Sequence, residues 1–175
     1  MTAAGATGAA GAARADDPGV RILLLDPPAT RPVLRDYFCS TRPKAGYRWQ
    51  PMDLLALGGL LADREDVAST RLLDAVAART SVAALRRQVA AYDPDVIFGL
   101  VSALTTADDL AILRRLRDDG RLRRRGPRRI VVGGEVALDR DFDFQSQDHV
   151  AGLILDFTAP EAADLLATGR AAGRV

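Results

Sequence analysis

The sequence predicts an α/β architecture of three layers, a five-stranded parallel sheet with helices on both faces. Three observations predict it. The run RILLLD (21–26) sets large aliphatics side by side with no polar alternation, the signature of a strand covered on both faces. VIFGLV (96–101) and RRIVVGG (128–134) repeat that pattern. Between the apolar runs lie segments whose leucines recur at helical spacing, so strands and helices alternate along the chain. Strands joined through helices are expected to run parallel, with right-handed crossovers.

The elements follow in order. The first strand stops at Pro27 and Pro28, neither of which can donate to a ladder. Residues 29–50 show no period yet hold Tyr37, Phe38, Tyr47 and Trp49, so they read as a functional loop rather than as disorder. Pro51 suits the first position of a helix reaching about Asp63, with Leu54, Leu55, Leu57, Leu60 and Leu61 as its apolar stripe. A weaker strand follows at 67–74. Ser81 is placed to cap a helix to about Tyr92 that buries Val82, Leu85 and Val89. Residues 93–106 read as a turn, a buried strand and a polar loop in which Thr106 is the expected helix cap. Asp108 and Asp109 then enrich the first turn of a helix with Leu110, Leu113 and Leu116 inward, and Gly120 ends it. Residues 128–136 form a fourth strand with glycines at its end, 151–156 a fifth, and 160–168 a short final helix. The domain is expected to span 20–170, after an Ala/Gly-rich disordered leader (1–19) and before a tail (171–175).

Composition narrows the function. The length of 175 residues suits one domain, large enough to fold without metal or disulfide. Net charge is +1, which supplies no bulk attraction to nucleic acid or membrane, so neither is expected as a partner. No run of about 18 apolar residues is present, and the leader lacks a signal peptide's apolar core, so a cytoplasmic location is expected. Cys39 is the one cysteine, which excludes an intrachain disulfide and a Cys-rich zinc or iron–sulfur site.

In open parallel sheets the ligand crevice lies beyond the carboxyl ends of the strands. Four segments should line it: the loop after Asp26, SALTT (102–106), GGEV (133–136) and the residues after Asp156. Adjacent glycines let a ligand rest on main chain, and small hydroxyls can donate to it; either can also serve a plain turn or a helix cap. Other motifs fail. Asp26 lacks the companion acids of a phospho-acceptor site, and no GxGxxG follows the first strand. Asp139, Asp141 and Asp143 alternate as in a calcium loop, but Phe144 and Val150 stand where that loop needs Gly and Glu. Nine arginines between Arg114 and Arg129 read as a solvated rim, with docking to an acidic partner as the alternative. His149, the sole histidine, is expected at the surface near a strand start, and Cys39 as an inert thiol. No acid–base or nucleophile pair emerges, so no catalytic residue is assigned and no metal ligand is named.

RILLLDPP (21–28), YRWQPMDLLALGGLLAD (47–63), YDPDVIFGLVSALTT (92–106) and RRIVVGGEV (128–136) together resemble the cobalamin-binding, flavodoxin-like domain that precedes the barrel of cobalamin-dependent radical S-adenosylmethionine enzymes. The resemblance implies a Rossmann-type fold that binds cobalamin, a corrinoid, as the cofactor. It also implies a cofactor-binding set of Asp26, Pro27, Pro28, Ser102, Ala103, Leu104, Thr105, Gly133, Gly134 and Glu135. In the wider superfamily a DxHxxG loop, an SxL loop and a GG turn hold the cofactor. Here Ser102-Ala103-Leu104 and Gly133-Gly134 match the last two, and the resemblance implies that they hold the benzimidazole tail in an open trough. After Asp26 come Pro27 and Pro28 with no histidine, as in the radical-enzyme branch, where neither tail base nor histidine ligates cobalt. The loop 37–49 would then lie along the lower face of the corrin. The CxxxCxxC motif of such enzymes is absent, so the expected role is a binding module serving a radical S-adenosylmethionine partner in trans or a missing catalytic domain. The alternative is a degenerate domain that acts as a structural or docking unit without cofactor.

Overall fold

The computed structural model describes residues 19–30, 33, 35, 50–120, 126–138 and 143–168. Residues 1–18 of the expected leader, the tail, Cys39, Tyr37, Phe38, Tyr47 and Trp49 lie outside them, as do Asp139 and Asp141. The described chain forms strands β1 (Val20–Asp26), β2 (Val67–Asp74), β3 (Val96–Leu100), β4 (Arg129–Gly133) and β5 (Val150–Ile154). Helices α1 (Met52–Ala62), α2 (Val82–Tyr92), α3 (Thr106–Asp119) and α4 (Pro160–Thr168) alternate with them.

The five strands pair in the order β2-β1-β3-β4-β5, and every pairing is parallel. Side-chain alternation splits the core in two. Ile22, Leu24, Val96, Phe98, Val131 and Ile154 face α1 and α4, whereas Leu23, Leu25, Ile97, Ile130 and Val132 face α2 and α3. This two-sided burial explains why the central strands carry unbroken apolar runs, while edge strand β2 reads weakly. The three-layer α/β fold, flavodoxin-like and Rossmann-type, is as the sequence predicts.

Local signals fare unevenly. Ser81 caps α2 by accepting a hydrogen bond from the Ala84 amide at 3.2 Å. Pro51 sits one residue earlier than expected, at the N-cap of α1. Of the five leucines assigned to its stripe, Leu54, Leu57 and Leu61 are buried, and Leu55 is not. Thr106 does not cap α3. That position belongs to Thr105, and the Thr106 hydroxyl instead donates to the Ser102 carbonyl at 2.8 Å. His149 is also not at the surface: it is buried beside the start of β5, where its Nδ1 accepts from Arg114 at 3.4 Å. Burial, reinforced by the Arg114 charge, holds its pKa below the ordinary 6.5.

Because β1 and β2 run parallel, α1 must carry the chain back to the amino end of the sheet. Its first turn therefore lies toward the carboxyl end of the sheet. The chain leaves β1 and β3 toward opposite sides of the sheet, which places the topological switch point between them.

Candidate functional site at the carboxyl rim

The loops after β1, β3 and β4 meet at the switch point, and the group seated there is Arg35. Its guanidinium is fully buried and forks onto Asp109, with Nε to Oδ2 at 2.9 Å and Nη2 to Oδ1 at 2.8 Å. Its third nitrogen, Nη1, donates to Asp26 Oδ1 at 2.6 Å. Two carboxylates thus share one cation in a nearly dry site. Burial drives the Asp26 carboxyl up from 3.8 to about 7; Arg35 opposes that rise, while Asp74 and Asp109 add to it. Burial also works against the Arg35 charge, but its hydrogen bonds to Asp109 and the Asp26 charge outweigh it and hold Arg35 above its ordinary value.

Asp109 does more than accept Arg35. Its Oδ2 also accepts from the Ser102 amide at 3.2 Å and the Thr105 hydroxyl at 2.8 Å, fixing the turn between β3 and α3. The opposite side of that turn is held by Glu135, which accepts from the Ser102 hydroxyl at 3.3 Å and the Ala103 amide at 3.0 Å. Ser102 Oγ in turn accepts from the Leu104 amide at 3.2 Å. The structure therefore brings Asp26, Ser102, Ala103, Thr105, Gly134 and Glu135 into one neighbourhood. Pro27 and Pro28 are buried behind it, and Leu104 projects outward, 60% exposed.

The two glycines abut this turn, but the space beside them is taken. Gly134 has φ +113°, and a Cβ there would stand 2.5 Å from the Val101 carbonyl oxygen and 3.4 Å from that of Arg35. Glycine is required by both conformation and contact. Alternation along β4 turns Gly133 to the α1–α4 face, where its missing Cβ would meet Phe98 at 2.8 Å and Phe157 at 2.9 Å. An open trough was expected from the glycine pair; in the structure, the strand neighbours and two phenyl rings occupy that room instead.

Comparison with protein-family models, with curated proteins and with solved structures gives no match.

Two further features complete the rim. A cleft of about 390 Å³ opens on the α2–α3 side, lined by Pro28, Thr30, Thr80, Ser81, Thr105 and Arg115 among others. Among the described residues, the large apolar side chains left exposed are Met52, Leu55, Leu104 and Leu138. All four sit at this end of the sheet: Met52 and Leu55 in the first turn of α1, Leu104 after β3, and Leu138 after β4. No group of three or more His, Cys, Asp or Glu side chains among the described residues could hold a metal ion. No described helix is long and apolar enough to cross a membrane.

Sequence reasoning missed Arg35 and its pairing with Asp109. Arg35 lies in an aperiodic loop, and its partner is 74 positions away, so no local pattern marks the pair. Asp109 was expected as a first-turn acid of α3, which it is, but its full burial against Arg35 was not foreseen.

Proposed function

We propose that the chain is a corrinoid-binding module, holding a cobalamin-type cofactor across the carboxyl rim for a radical S-adenosylmethionine partner or catalytic domain. The observation that carries this reading is that the exposed large apolar residues among the described ones, Met52, Leu55, Leu104 and Leu138, lie in the first turn of α1 and in the segments after β3 and β4. A corrin has broad apolar faces and an amide-fringed periphery, and such a surface matches its faces. Lone exposed leucines need no explanation, but several at the ligand-binding end of one sheet do. The strand order and the contact between the serine turn and the glycine pair support the same reading.

The fit is partial. The rim residues suit the ring, whereas Phe157 and Phe98 fill the place beside Gly133 that a nucleotide tail would need. When bound, the cofactor would supply cobalt-centred methyl-carrier chemistry. The contribution of this chain's own residues is placement: Asp109 and Glu135 hold the turn rigid from two sides, and Arg35 ties that turn to the end of β1.

A second reading has its own support. Arg35 fills the switch-point crevice, Phe157 covers Gly133, and Glu135 takes the donors of the serine turn, as expected of a domain that keeps the fold for docking without cofactor. Titration of the purified chain with hydroxocobalamin separates the two. Retained corrinoid with a shifted absorption spectrum supports the module; no retention at high micromolar ligand leaves the docking role.

A further inference from the structure

The ring of Phe157 is held in place by its own turn. Asp156 Oδ1 accepts from the Thr158 amide at 2.8 Å and from the Thr158 hydroxyl at 2.7 Å, closing an Asx-type turn around residue 157. Those hydrogen bonds hold the Asp156 carboxyl below its ordinary range. At the centre of that turn Phe157 is 6% exposed, in the α1–α4 core cluster with Ile154, Leu166 and Phe98. It meets Phe98 edge-on, with centroids 5.7 Å apart and planes at 74°, the favourable arrangement for an aromatic pair. The same ring edge lies 2.9 Å from the position a Gly133 Cβ would take. The glycine thus admits the Phe157 ring beside the paired ends of β4 and β5, where Gly133 faces Ile154.

We infer that Phe157 excludes a nucleotide tail from the space beside Gly133, so that a corrinoid on this rim is recognised by its ring alone. This selectivity rests on the corrinoid reading above. It makes Phe157 a specificity-determining residue: it contributes nothing to ring binding, and it removes any advantage that cobalamin holds over a corrinoid without the nucleotide arm.

The test compares cyanocobalamin with cyanocobinamide, which lacks the nucleotide arm, by equilibrium dialysis against the full chain. The unmodified protein is expected to bind cobinamide at least as tightly as cobalamin. A tenfold or greater preference for cobalamin overturns the inference while leaving the corrinoid reading intact. Failure to bind either ligand overturns the corrinoid reading, and the inference with it. Phe157→Ala removes the ring and is expected to move the affinity ratio at least tenfold toward cobalamin. Phe157→Leu keeps the turn filled with less bulk and is expected to move the ratio the same way by a smaller factor. Thermal unfolding by circular dichroism establishes that each variant is folded, and a folded variant with an unchanged ratio counts against the role of the ring.

Discussion

Replacing Asp26 by Asn tests the electrostatics of the buried triad. Asp26 and Asp109 share Arg35, so full ionisation leaves one uncompensated negative charge in a nearly dry site. Burial raises the Asp26 carboxyl from 3.8 to about 7 in the folded protein. Between those values the unfolded chain releases the proton and the folded chain keeps it, so the native state binds more protons. Stability from this group is fully present below about pH 4, falls as pH rises to about 7, and is level above that. The rise from 3.8 to about 7 corresponds to about 4 kcal/mol. Asn keeps the oxygen that accepts from Arg35 Nη1 and has no charge to lose. The unfolding free energy of Asp26→Asn minus that of the unmodified protein should therefore rise by about 4 kcal/mol from pH 4 to pH 8, measured by urea denaturation. His149, held below its ordinary value, gives an opposite trend, with stability rising with pH through about 6.5. That trend is common to both proteins and cancels in the difference. A difference that stays flat, or falls with pH, refutes the reasoning and makes Asp26 an ordinary ionised partner of Arg35.

Three other outcomes follow from the rim. Arg35→Met strands the Asp109 carboxylate and should cost about 3–5 kcal/mol of unfolding free energy at pH 8, less at pH 5 where Asp26 is protonated; an equal loss at both pH values contradicts the shared-cation picture. Gly134→Ala forces a Cβ within 2.5 Å of the Val101 carbonyl at φ +113°, so a loss of about 2 kcal/mol or more is expected in denaturant titration, and a neutral result shows the turn to be soft. Leu104→Lys should leave unfolding free energy within about 0.5 kcal/mol, because the side chain is already exposed, yet weaken hydroxocobalamin binding about tenfold. Unchanged affinity by equilibrium dialysis removes Leu104 from the binding surface.

The sheet was legible in the sequence because its signal is local. Ile22 to Leu25, Val96 to Phe98 and Ile130 to Val132 are apolar on both faces, and strand β2 falls at 67–74 as the pattern indicated. The carboxyl rim was legible as a place, since strand ends can be counted from the same runs. What occupies it was not. Arg35 meets Asp109 across 74 positions, and only the pairing of β1 with β3 brings them together. Phe157 reads as one aromatic after a strand, and only the β4–β5 register sets it against Gly133. His149 was placed at the surface because it stands beside Asp148 near a strand start, but it is buried and accepts from Arg114 of α3. Polar and aromatic residues that pair across distant elements leave no period for sequence reasoning to find.

Chain-wide amide mapping with bound corrinoid addresses the proposed site most directly. With hydroxocobalamin added to the ¹⁵N-labelled chain, amide shifts should concentrate at Met52, Leu55, Ala103, Leu104 and Leu138, while Arg21, Asp95 and Arg129 at the amino ends of the strands stay unmoved. A spectrum unchanged at high micromolar ligand, or shifts gathered at the amino ends, would contradict corrinoid binding at the carboxyl rim.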